Sequence, residues 1–180
     1  MVILITGATH TGKTLLAQRL LERYGYPYLS MDHLKMGLIR SGQTGLTPED
    51  DDELTAYLWP IVREIVKTAV ENRQNLIVEG CYVPFDWRRG FTEEYLAAIR
   101  FLCLVMTDGY IDTHFDEIVA HASDIEARLD DSYCSKTLLK RENRKYAAGF
   151  QAAGEPVTRI DGDYPDPLSV VFSVAISPVP

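Results

Sequence analysis

The chain has 180 residues, 46% hydrophobic and 24% charged, with a formal net charge of −8, a composition that suits one globular domain able to bury a core without disulfides. The acidic balance excludes broad electrostatic attraction to nucleic acid, which draws on Lys and Arg neutralising phosphates, and leaves room only for a local basic cleft. Cys81, Cys103 and Cys134 are odd in number and far apart, match neither CxxC nor Cys/His zinc spacing, and read as reduced thiols of a cytoplasmic protein, Cys103 as a core residue.

In chain order, residues 2–6 form a continuous apolar run ending in a glycine turn, which predicts a strand buried on both faces. The run is too short for a signal h-region and lacks a basic n-region, and no apolar stretch approaches a membrane span. Residues 13–24 place Leu15, Leu16 and Leu20 at helical spacing, 26–30 make a second strand, and 32–40 a short helix closed by Ser41-Gly42. Residues 41–52 are polar and read as a mobile loop that ends by capping a long helix over 51–71. Strands follow at 75–79, 100–106 and 157–160, with helices at 92–99, 111–129 and 136–151, a short last element at 167–174 and a tail from Ser177. Strands alternating with helices predict a parallel sheet covered on both faces, in one domain over 1–180 with no linker.

Gly7-Ala8-Thr9-His10-Thr11-Gly12-Lys13-Thr14 matches G-x-x-x-x-G-K-[ST] in full. The glycines admit backbone angles and close approach that a Cβ obstructs. Successive N–H groups from Gly7 to Leu15 then face one concavity, and the helix opening at Lys13 adds its positive end. Lys13 reaches the β- and γ-phosphates, and the Thr14 hydroxyl ligates Mg²⁺. The preceding buried strand and the following amphipathic helix are the context the motif requires. His10 reads as a tolerated loop residue.

Such a site needs a second acid at the end of a neighbouring strand, on the magnesium side. Two apolar runs end acidic, Leu76-Ile77-Val78 at Glu79-Gly80 and residues 101–106 at Thr107-Asp108. Glu79 is preferred because it abuts its strand and precedes a glycine turn. Asp108 reads as the cap of the helix beginning near Ile111.

With these motifs in place, the chain resembles the small P-loop kinases of the nucleoside-monophosphate-kinase-like group. That group includes adenylate, shikimate and gluconate kinases, 2-phosphoglycerate kinases and chloramphenicol phosphotransferase. The residues that carry the resemblance are GATHTGKT after the first strand, Ser30-Met31-Asp32-His33-Leu34-Lys35 after the second, Leu76-Ile77-Val78-Glu79-Gly80, and a basic helix before the last strand. It implies strand order 2-3-1-4-5, ligands at the carboxyl ends of the strands, a short lid over 128–135, ATP and Mg²⁺ as cofactors, and a small-molecule acceptor. The chain lacks the D-G-[FY]-P-R run of adenylate kinases, and Val78-Glu79-Gly80 looks closest to the 2-phosphoglycerate-kinase type.

By the same resemblance the end of the second strand faces the acceptor. Asp32 is there to orient a hydroxyl and take its proton, or else to serve as the N-cap of the next helix. Lys35, one turn on, Arg40 and Arg88 are candidate acceptor-binding cations, Arg88 beside Trp87 and Arg89. Lys136, Lys140, Arg141, Arg144 and Lys145 line one helix face. Arg128, Arg141 and Arg144 are candidates to stabilise the transferring phosphoryl group, since a planar guanidinium forks onto phosphate oxygens. Competing readings are a nucleoside monophosphate kinase and a nucleotide-binding module without kinase activity. A GTPase would need N-K-x-D, which the sequence lacks.

Overall fold

A computed structural model of the chain describes residues 1–125 and 133–162. The elements run β1 (Val2–Gly7), α1 (Lys13–Tyr24), β2 (Tyr28–Ser30), α2 (Met31–Arg40), α3 (Asp51–Glu71), β3 (Leu76–Glu79), α4 (Glu93–Ala97), β4 (Ile99–Met106), α5 (Asp108–Ala120), α6 (Lys136–Ala152) and β5 (Thr158–Ile160). All four pairings are parallel, and the strand order is β2-β3-β1-β4-β5. The predicted order and the parallel sheet are therefore both observed.

β1 is central and buried along its whole length, which explains its unbroken apolar sequence. Its residues alternate between two cores. Ile3 and Ile5 join Ile77, Leu102 and Leu104 beneath Leu16, Ala17 and Leu20 of α1. Val2 and Leu4 join Phe101, Cys103 and Val105 beneath Leu58, Val62 and Val66 of α3 and Phe150 of α6. Helices thus cover both faces. Each fully buried Leu of α1 contributes roughly 1.5–3 kcal/mol by leaving water, which is what clamps this helix, and the loop before it, onto the sheet.

α3 runs through Pro60. Leu54, Leu58, Val62 and Val66 are buried at helical spacing on either side of it, so packing holds a helix that propensity alone would break. α5 begins earlier than the sequence predicts. The Thr107 side chain caps it by accepting from the Tyr110 amide, and Asp108 is the first helical residue. The expectation that Asp108 is the cap is corrected accordingly. α5 ends at Ala120, and the predicted helix beyond residue 125 lies outside the described residues, as does the predicted element at 167–174. No helix among the described residues is long and apolar enough to cross a membrane. Cys81, Cys103 and Cys134 are free thiols, and Cys103 is fully buried.

Candidate functional site

The site starts where β1 ends. Gly7 has φ 138, and a Cβ there would stand 2.0 Å from the Leu104 carbonyl oxygen of β4. Only glycine lets the chain leave the central strand here and turn into the loop. His10 also adopts a left-handed conformation, φ 63, a local cost that a phosphate-binding curl of this kind carries. Within the curl, Thr11 Oγ1 donates to the Ala8 carbonyl at 2.8 Å and Lys13 Nζ donates to the same carbonyl at 2.7 Å. The Lys13 ammonium therefore lies folded over the loop's own backbone, inside the concavity that the motif predicts.

Thr14, in the first turn of α1, donates from Oγ1 to Glu79 Oε2 at 3.2 Å. Glu79 closes β3, pairs in register with Ile5 of β1, and is 1% exposed. This direct bond joins the two residues that the sequence selects as the metal pair. A hydroxyl and a carboxylate are hard oxygen donors, the chemistry Mg²⁺ takes, so the pair fits that ion. Among the described residues no group of three His, Cys, Asp or Glu side chains is gathered to hold a metal without other ligands. Asp108, the alternative acid, instead pairs with Arg144.

Gly80 follows, with φ 156 and a virtual Cβ 2.6 Å from Met31 Cβ. The absence of a side chain brings the end of β3 against the start of α2. Cys81 and Tyr82 are thereby set beside Asp32 and Lys35. Lys35 Nζ stands 2.7 Å from Asp32 Oδ1 and donates to Tyr82 Oη at 2.8 Å. Tyr82 Oη donates to Asp51 Oδ1 at 3.3 Å. Burial pushes the Cys81 thiol up to about 11, with Lys13 opposing, Asp32 and Asp51 adding to the rise, and Lys35 also opposing. The thiol thus lies within electrostatic reach of both Lys13 and the Asp32–Lys35 pair. Partial burial raises the Asp51 carboxyl above the ordinary range, against the pull of Tyr82 and Lys35.

Asp32 is not an N-cap. The cap position of α2 is Ser30, and Asp32 is the second helical residue with its carboxylate on Lys35. Its side chain is 41% exposed while that of Lys35 is 11% exposed, so the acid presents outward from a fixed base. Arg40 is exposed in the last turn of α2, about 12 Å along the axis from Asp32 at 1.5 Å per residue.

The remaining predicted cations divide. Arg144 is bound to Asp108 just beyond β4, and Arg141 pairs with its neighbour Glu142 at 3.1 Å. Both guanidiniums are largely exposed. Lys140 is tied to Asp112 at 2.6 Å. Arg128 lies outside the described residues, as does most of the predicted lid at 128–135. Arg88 is displaced from the site altogether. Its guanidinium grips Glu155, which is buried, and lies over Trp87. Trp87 stacks on Phe101 at 5.1 Å, near the amino end of β4, whereas the phosphate loop is at the carboxyl ends. The expectation that Arg88 receives the acceptor is corrected: its charge serves the buried Glu155 carboxylate, which precedes β5 near the amino ends of the strands.

The sequence marks Asp51 only as the start of a helix and does not by itself single out Tyr82. The signal for Tyr82 is its place three residues after Glu79, on the turn that leaves the sheet at its ligand-binding edge.

No family model matches the chain, and no curated protein matches it. Solved structures do. A deoxyadenosine kinase from M. mycoides, solved with dCMP and dCDP, is 13% identical, with TM-score 0.55 over 97% of each chain. A candidate kinase from Chloroflexus aurantiacus j-10-fl is 18% identical, with TM-score 0.54 over 97% of this chain and 96% of that one. An unliganded sugar kinase from Janibacter sp. HTCC2649 is 16% identical, with TM-score 0.50 over 96% and 91%. At such identities the likeness establishes architecture, and with the strand order and phosphate loop above it gives the conclusion that this chain has the P-loop NTPase fold of the small kinases.

Proposed function

We propose that the protein is a kinase that transfers the γ-phosphoryl group of ATP to a hydroxyl of a small molecule. The observation that carries this reading is the Thr14–Glu79 hydrogen bond set beside Lys13 in an intact phosphate loop. Thr14, with Glu79 behind it, would hold Mg²⁺, which would supply charge neutralisation on the phosphates. The loop amides from Gly7 to Leu15 cradle the phosphates, and Lys13 swings from the Ala8 carbonyl to the transferring group. Asp32 accepts the acceptor's proton. Arg144 and Arg141 exchange their carboxylate partners for phosphate oxygens. Water is kept from the phosphoryl group by closure of the 41–52 loop.

The finer reading is an anionic acceptor resembling 2-phosphoglycerate, with Lys35 and Arg40 as the cations near α2. The test is a phosphoryl-acceptor screen with ATP and Mg²⁺, spanning phosphoglycerates, nucleosides, nucleoside monophosphates, sugars, aminoglycosides and phenicols. Transfer to a hydroxyl compound is expected. Robust transfer to AMP alone would turn the reading to a nucleotide kinase, and ATP hydrolysis stimulated by no acceptor would turn it to a nucleotide-binding module.

The choice of acid has its own check. Glu79→Gln keeps the shape of the side chain and removes its charge. Loss of a partner behind a metal ligand costs about 10–100-fold in metal affinity or activity. The Mg²⁺ concentration giving half-maximal rate should rise on that scale in Glu79→Gln and stay near wild type in Asp108→Asn. The reverse pattern would move the metal-side acid to Asp108.

A further inference from the structure

A hydrogen-bonded chain joins three segments that are distant in sequence. It starts at Asp32 on α2, passes through Lys35, crosses to Tyr82 after β3 and ends on Asp51, the first residue of α3. Chemistry fixes the direction of each link. An ammonium can only donate and an ionised carboxylate can only accept. The phenol in the middle therefore accepts from Lys35 through its oxygen and gives its own proton to Asp51.

The phenol is well placed to hold still. Tyr82 is 3% exposed, and its ring is part of the core with Met31, Leu54 and Leu58. The Lys35 ammonium also lies 5.0 Å from the centre of that ring, within cation–π range. A lysine stem has many rotamers, and a bond to Asp32 alone leaves several of them open. The second bond, to an oxygen fixed in the core, selects one. The charged groups facing Asp51 at the far end are Lys35 and Asp32 of α2 and Glu142 of α6. Burial, with Asp32 and Asp51 nearby, keeps the Tyr82 hydroxyl protonated far above the usual tyrosine range, so its donor role does not lapse at working pH.

We propose that Tyr82 is a positioning residue for phosphoryl transfer: its rigid hydroxyl holds the Lys35 ammonium on the Asp32 carboxylate and so fixes how Asp32 meets the accepting hydroxyl. This rests on the reading of Asp32 as the base. It differs from a packing role in a way that can be measured, because a residue acting through Lys35 has nothing left to do once Lys35 is gone.

The experiment measures phosphate release from MgATP to water, which takes the place of the accepting hydroxyl. The variants are Tyr82→Phe, Lys35→Met, the two combined, and Asp32→Asn. Tyr82→Phe and Lys35→Met should each lower kcat about tenfold, the scale of a misaligned reacting group, with the KM for ATP within about twofold of wild type. The double variant should be no slower than Lys35→Met alone, the mark of two groups acting as one unit. A double variant slowed by the product of the single effects, about 100-fold, overturns the proposal. So does a Tyr82→Phe effect confined to KM. If Tyr82→Phe does not fold, Asp51→Leu combined with Lys35→Met applies the same additivity criterion from the other end of the chain. Asp32→Asn separates the two layers. Slow turnover there with additive Tyr82 and Lys35 effects defeats positioning alone, and wild-type turnover there defeats the base reading and the positioning with it.

Discussion

Replacing Lys13 by Ala should lower phosphoryl transfer by about 100-fold or more and leave the fold standing. The two halves of that expectation have separate causes. Removing one preorganised donor aimed at developing charge costs about 10²–10³ in rate, and an ammonium facing phosphate is at least such a donor. In the structure the same ammonium donates to the Ala8 carbonyl at 2.7 Å. A hydrogen bond from a charged group contributes about 1.5–3 kcal/mol to stability. For a chain of this size each kcal/mol moves Tm by about 2–4 °C, so the variant should melt within roughly ten degrees of wild type. Thermal unfolding followed by circular dichroism, set beside initial rates, reads both quantities. Wild-type transfer by Lys13→Ala would remove the phosphate loop from the chemistry. Collapse of the fold would show Lys13 to be structural. The carbonyl it releases still accepts from Thr11 Oγ1, so no orphaned acceptor is left to amplify the loss.

The phosphate loop was readable because every signal for it is local. An apolar run, two glycines at fixed spacing, Lys13-Thr14 and an amphipathic helix all fall within the first 24 residues, and each constrains the same few turns of backbone. α3 was readable for a similar reason, since its buried positions recur through Pro60 at the helical period. The cluster around Asp32 was only half readable. Asp32 and Lys35 are one turn apart on α2 and meet as the periodicity predicts. Their partner Tyr82 is 47 residues from Lys35, and Asp51 is 31 from Tyr82. No pattern in the chain relates such positions until the sheet order brings β3 beside β2. Arg88 misled for the same reason. Trp87-Arg88-Arg89 has the composition of an anion receiver, but the carboxylate that claims Arg88 lies 67 residues further on, at the other end of the sheet. The cations of α6 recur at helical spacing in the sequence. What composition could not supply is that Asp108 and Asp112 of α5 stand opposite Arg144 and Lys140. Those guanidinium and ammonium groups are therefore paired with carboxylates rather than free in solvent.

Asp32→Asn should lower turnover by about 100-fold or more while leaving ATP affinity and stability nearly unchanged. A nucleoside monophosphate presents an oxygen that is already ionised, so its kinase needs no base. A hydroxyl arrives protonated, and a carboxylate beside it receives that proton as the new P–O bond forms, a contribution worth about 10²–10⁴. Asparagine keeps the size and the hydrogen-bonding edge of aspartate and cannot take the proton. The structural cost is small on two counts. Asp32 does not cap α2, since the cap position is Ser30. Its pair with Lys35 leaves the carboxylate 41% exposed, and in the variant the more buried Lys35 ammonium keeps two acceptors, the Tyr82 hydroxyl and the asparagine carbonyl. On the proposed reading ATP is held by Lys13 and the loop amides, and Lys13 Nζ donates to the Ala8 carbonyl rather than to Asp32. The measurement is kcat and the KM for ATP with whichever hydroxyl acceptor the screen returns, alongside thermal unfolding. A fall in kcat at constant KM for ATP and near-constant Tm assigns the proton to Asp32. A near-wild-type rate, or transfer to AMP that Asp32→Asn leaves untouched, would mean that the accepting oxygen arrives ionised, and the acceptor would then be a phosphate rather than an alcohol.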